Sequence, residues 1–248
     1  MKKAILMSLS LIASLAPAMG VQAQPLEETL VPVDHVFSPR GFDDNDDVQV
    51  GVTGILPDLC YKAPRANVRL DGDTAYVTVT ALHDVTPGIM CARAVVPFLL
   101  PVSLGVLDAG SYKIVANEGT PTAAKGGIAV EEAASSAIDN HIYARVESAE
   151  QLLGSRAVVL TGFNPSYCFD FDHIEFVSNG DDTLSILPIL KQRQENCPLK
   201  LVPFRYQFEI PKTLARSEIM LHVRVMNGHS VNILFDNETP NAARTLMK

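Results

Sequence analysis

The feature that most constrains this chain is an eight-residue stretch that occurs twice. Thr53-Gly54-Ile55-Leu56-Pro57-Asp58-Leu59-Cys60 returns as Thr161-Gly162-Phe163-Asn164-Pro165-Ser166-Tyr167-Cys168, with Thr, Gly, Pro and Cys in the same four places. The echo continues downstream: Asp73-Thr74 matches Asp182-Thr183, and Val96-Pro97-Phe98 after Cys91 matches Val202-Pro203-Phe204 after Cys197. Self-similarity of this kind marks a duplicated structural unit. The chain therefore reads as two related modules rather than one large domain.

The four cysteines support that division. Their even number, in a chain that opens with an export signal, reads as disulfides. The repeat selects Cys60–Cys91 and Cys168–Cys197, 31 and 29 residues apart in sequence, one bridge inside each module. A metal site is the competing reading, and it has neither a C-x-x-C motif nor a nearby histidine pair.

The export signal is Met1-Lys2-Lys3, an apolar run from Ala4 to Ala18, and the small-residue site Val21-Gln22-Ala23. It places the signal peptide at residues 1–23 and predicts a periplasmic or secreted product. The apolar run is shorter than the roughly 20 residues a spanning helix needs, and no later stretch replaces it, so no membrane span is expected. Losing Lys2 and Lys3 leaves 18 basic against 28 acidic residues. Such a balance disfavours nucleic acid, whose phosphates need a basic surface.

Within each module the pattern is that of short strands. Val48–Val52 alternates strictly, as a half-buried strand does. Its counterpart Ala157–Leu160 is a continuous apolar run, expected to be covered on both faces. Asp71-Gly72-Asp73 and Asn179-Gly180-Asp181-Asp182 each sit between β-branched or apolar runs, which predicts a hairpin in each module. Further strands are expected over 95–104 and 202–210, and the runs at 110–115 and 218–226 are expected to close the two modules. Val33–Phe37 is a first strand, with Ile138–Tyr143 as its weak counterpart. The expectation is all-β, with two tandem immunoglobulin-like β-sandwich modules, each pinned by one disulfide. The chain has no tryptophan to pack on the bridge as antibody domains do. By composition, module one spans 30–118, a linker 119–136 with a short helical turn near its end, module two 137–237, and a flexible tail 238–248; residues 24–29 read as a mobile lead.

The most unusual local composition is Gly41-Phe42-Asp43-Asp44-Asn45-Asp46-Asp47. Asp43, Asn45 and Asp47 alternate as the first oxygen ligands of a calcium loop do. The glycine expected next is Val48, and the twelfth position is Gly54 rather than a bidentate Glu, so an EF-hand is excluded. What remains is a looser calcium site, weighed against a solvated acidic turn. No other cofactor is implied. Nucleophilic catalysis lacks G-x-S-x-G, the cysteines are committed, and the six histidines are scattered. Ser230 beside His229 reads as a turn, and Asp170, Asp172 and His173 as turn chemistry after Cys168.

The order Gly41–Val50, then Thr53-Gly54-x-Leu56-Pro57-x-x-Cys60-Tyr61, then Val96-Pro97-Phe98, then Leu104-Gly105-x-Leu107-x-x-Gly110-x-Tyr112 resembles a group of small exported bacterial proteins. The resemblance covers module one well and module two loosely, and it implies the sandwich but no activity. The functional expectation is an exported, non-catalytic binding or structural protein of the cell envelope that docks an unidentified protein partner. An inhibitor of an envelope or secreted enzyme, and a hydrolase with an unrecognised site, are the alternatives.

Overall fold

A computed structural model describes residues 25–238 apart from 138, 199 and 213. The signal peptide expected at 1–23 and nearly all of the tail expected at 238–248 lie outside the described residues. Among those described, every regular element is a strand except one 3-10 turn at Met226–Gly228.

Module one contains β1 (Leu26–Leu30), β2 (Val33–Phe37), β3 (Phe42–Asp43), β4 (Val48–Leu56), β5 (Tyr61–Asp71), β6 (Thr74–Asp84), β7 (Val96–Gly105), β8 (Gly110–Ala116) and β9 (Ala124–Glu131). In its larger sheet β6 is central. β5 lies along one edge of β6, antiparallel β1 and parallel β8 share the other, and β9 and β3 follow β8. The smaller sheet is β2-β4-β7. Alternate residues of both sheets, including Val48, Val50, Val52, Val77, Val79 and Ile114, meet in one buried core. That is how period-2 alternation becomes a sandwich.

Module two has the same arrangement without a counterpart of β3. Its strands are β10 (Ile142–Tyr143), β11 (Arg145–Gln151), β12 (Ala157–Asn164), β13 (Phe169–Ser178), β14 (Thr183–Gln192), β15 (Val202–Glu209), β16 (Glu218–Val225) and β17 (His229–Asp236). β14 takes the place of β6, with β13 on one edge and β10 and parallel β16 on the other; β11-β12-β15 is the smaller sheet. Its core gathers around Leu160, Leu184, Ile186, Leu221 and Phe235. Ala157 to Leu160 are all buried, as the continuous apolar run predicts.

The repeated Thr-Gly has a packing reason. β2 slips register between Val33 and His35, opposite Gly54, and β11 slips between Val146 and Ser148, opposite Gly162. At these bulges the partner backbone comes so close that a Cβ on Gly54 would strike the Pro32 carbonyl, and one on Gly162 the Arg145 carbonyl. Only glycine fits opposite such a bulge.

Several boundaries differ from the sequence reading. The stretch from Gly119 to Gly127 is not a linker: residues 124–127 belong to β9, which pairs with β8 along its length. Gly126 is there for close approach, because a Cβ on it would lie 2.8 Å from Val36 of the facing sheet and 2.9 Å from the adjoining Ser38. Residues 134–137 bend without helix. The lead at 26–29 is β1, antiparallel to the end of β6. The counterpart of Val33–Phe37 is therefore β11, and Ile142–Tyr143 answers to β1. Neither β8 nor β16 closes its module; β9 and β17 do.

β3 has no counterpart. In module two, β11 passes to β12 through the turn at 152–156, whereas in module one the chain between β2 and β4 makes an excursion over 38–47. That excursion is the acidic stretch.

Candidate functional site

The acidic stretch joins the modules. The outer face of β16 carries Met220, His222 and Arg224, alternating with core residues Leu221, Val223 and Val225. A polar outer face normally meets water, but here module one covers it and every residue from Ile219 to Val225 is buried. A Cβ at Gly51 of β4 would run into the Met220 side chain, so this glycine admits the methionine to the face of β4.

Polar contacts fill the rest of the seam. Arg224 donates to Asp46 Oδ2 at 2.5 Å, with side chains only 9% and 4% exposed. The same guanidinium lies 4.7 Å over the Phe42 ring, and His222 meets that ring edge-on at 5.5 Å. Asn140 Nδ2 donates to Asp43 Oδ2 at 2.8 Å, Ser185 Oγ to the Arg40 carbonyl at 2.8 Å, and Ser230 Oγ to Gln49 Oε1 at 2.5 Å. Asn45 Nδ2 donates to the carbonyls of Ser135 and Ala137, tying down the connection between modules. A buried ion pair holds only when its hydrogen bonds are completed in this way.

The calcium expectation at Asp43, Asn45 and Asp47 thus meets side chains already in use. Asp47 accepts from Ser103 and Gln49, and Asn45 presents its amide protons to backbone carbonyls. Asp43 Oδ1 and Asn45 Oδ1 are buried and find no hydrogen-bond partner among the described residues. Burial, reinforced by the neighbouring Asp46 carboxylate, pushes Asp43 above the usual carboxylate range. Among the described residues, the carboxylates of this stretch do not gather as a set of three metal ligands; Asp58, Cys60 and Cys91 do, and the two cysteines are bonded to each other.

Both expected disulfides are present, Cys60–Cys91 with Cα atoms 5.5 Å apart and Cys168–Cys197 with 5.8 Å. His173 pairs with Asp172 at 2.9 Å and Arg193 with Asp170, all on the surface around β13.

Beside the seam the modules enclose a cleft of about 480 Å³. Asp34, His35, Phe37 and Phe98 line it from module one, Arg216 and Glu218 from module two. His35 Nε2 meets Asp182 Oδ2 at 2.5 Å across the module boundary. Burial raises the Asp182 carboxyl, but hydrogen bonds from His35, Asn179 and Thr183 more than reverse this and bring it down to about 2. An acid held that low is a fixed anion and a poor general base near neutral pH. His222, brought down to about 4 by burial, is wholly enclosed with Nδ1 against Asn232 and cannot meet a substrate. Sequence reasoning did not find this cleft, because Asp34 and His35 lie far along the chain from Arg216 and Glu218. The Asp182-Thr183 echo of Asp73-Thr74 was visible, but not its use.

Geometry and packing define a protein of two β-sandwiches fastened face to face by a buried polar seam. Residues 50–124 match the family model of the ORF11 beta-sandwich domain. That match runs from β4 into β9, within module one, and covers less than half of the chain. No curated protein and no solved structure matches.

Proposed function

We propose that this chain is an exported, non-catalytic binding or structural protein of the bacterial cell envelope, presenting its loops from one rigid two-sandwich body. Two disulfides support an oxidising compartment. Among the described residues no helix is long and apolar enough to cross a membrane.

The observation that carries the binding reading is the loop between β6 and β7. Met90 is 95% exposed, and Ile89, Val95 and the adjoining Leu59 are exposed beside it. Apolar side chains held out in water at one place mark a contact surface. The loop base is rigid: Cys91 is bridged to Cys60, Ala92 O accepts from Leu59 N at 3.2 Å, and Asp84 accepts from Thr86 N and Oγ1 at 3.0 and 2.6 Å. Ile89 N closes a Pro87-Gly88 turn onto Thr86 O, with Gly88 at φ 82°. Preorganisation of this kind reduces the entropy lost on binding.

The test is capture from the native envelope fraction on immobilised protein, with Met90→Asp in parallel. Retention of a discrete protein by wild type, and its loss in the variant, is the expected result. Turnover of a substrate panel that disappears in His35→Ala would instead establish a hydrolase. The same loop favours the inhibitor as the second reading, since a disulfide-braced loop with a fully exposed apolar side chain suits insertion into an enzyme cleft. Slow, saturable inhibition of an endopeptidase with apolar preference, abolished by Met90→Asp, distinguishes that case.

A further inference from the structure

We propose that the inter-module cleft is a binding site for an alkylammonium group, whichever partner the exposed loop contacts. Its volume of about 480 Å³ falls within the range of small-ligand sites. Its walls supply apolar surface from half-buried Phe98 and Leu234, with buried Phe37 behind them. Its charges are unequal. Arg216 is held by both oxygens of Asp181 at 2.8 and 2.9 Å, and His35 is held by Asp182. Asp34 and Glu218 are exposed carboxylates with no ion-pair partner among the described residues.

Asp34 is placed there by the β2 bulge: Val33 pairs with Gly54 and His35 with Thr53, so Asp34 is the extra residue. Bulges re-aim side chains, and they recur beside binding sites. Glu218 opens β16 on the other wall. Two unpaired carboxylates from different modules, facing an aromatic and aliphatic cleft, favour a cation with an apolar stem. Carboxylates attract the ammonium, and the stem covers the apolar wall formed by Phe98 and Leu234. An anionic or neutral ligand would leave both acids uncompensated.

The shared chemistry can come from a free diamine or from a lysine side chain, and calorimetric titration of the full chain separates them. Cadaverine and Nα-acetyl-lysine amide are the two ammonium arms; 1-pentanol and hexanoate are the neutral and anionic controls. Saturable heat is expected with at least one ammonium probe and neither control. Asp34→Asn and Glu218→Gln should each weaken it about three- to tenfold, with unchanged melting because both positions are exposed. A free-amine-only or lysine-only response identifies the source, and both uphold the site. Equal binding of 1-pentanol, preference for hexanoate, indifference to both substitutions, or no heat with any probe at about 10 mM would overturn it. None of these results depends on the partner captured by the Met90 loop.

Discussion

At the scale of single residues the seam is the sensitive point. Arg224 and Asp46 are both buried, so removing either leaves an uncompensated charge away from water. Asp46→Ala or Arg224→Ala should cost about 3–5 kcal/mol in denaturant unfolding. Asp46→Leu combined with Arg224→Met should recover much of that loss, because the cost lies in the orphaned charge. Acid should act through two further seam residues. His222 sits at about 4 in the folded chain, below the ~6.5 of an unfolded histidine. Its unfolded form therefore takes up the proton first, and stability present above about pH 6.5 is lost as pH falls toward 4. Asp182, near 2 against ~3.9 unfolded, contributes stability that is intact above about pH 4 and lost toward 2. Midpoints measured from pH 7 to 4.5 should fall for wild type and stay nearly flat for His222→Gln; equal slopes would remove His222 from the account.

At the scale of elements, glycine determines what can lie against what. Gly54→Ala and Gly162→Ala both drive a methyl into a facing backbone carbonyl, that of Pro32 just before β2 and that of Arg145 in β11. Each should destabilise by roughly 1–3 kcal/mol, while Gly110→Ala, with no atom closer than 3.9 Å and no positive φ, should be near neutral. Chemical denaturation of the three variants is a direct comparison. The hairpins β5–β6 and β13–β14 were legible because Asp-Gly and Asn-Gly turns interrupt β-branched runs. β9 was not, because Gly126 and Gly127 imitate a linker in composition, although Gly126 serves close packing. β17 was missed although Asn227-Gly228, both at positive φ, is a hairpin turn joining it to β16. β1 is a short edge strand whose leucines remain largely exposed, so periodicity carried little signal.

At the scale of the molecule, two modules with separate cores should unfold together, since the seam buries groups from both. Calorimetry should show one cooperative transition for wild type and two resolved transitions for Asp46→Ala, each close to the behaviour of a single sandwich. Two transitions in the wild type would mean that the seam does not couple the modules. The same coupling makes the cleft depend on the intact joint, because its walls come from β2 and β7 on one side and from β16 and β17 on the other.

Sequence alone determined what depends on neighbours along the chain: the cysteine spacings that match the two bridges, the alternation that sorts residues to the two faces of a strand, and the turns at Gly72 and Gly180. These are local because backbone geometry and short-range periodicity set them. Only the tertiary structure decided what faces what. The alternation of His222, Val223, Arg224 and Val225 reads identically whether the polar face meets water or another protein surface, and here it meets module one. The acidic stretch likewise reads as a solvated turn or an ion loop until Arg224, 178 residues away, is seen to face it. Joint residues such as Asp46, Met220 and Arg224 lie outside the matched positions, and the matched Asp182 meets His35 only through the tertiary fold.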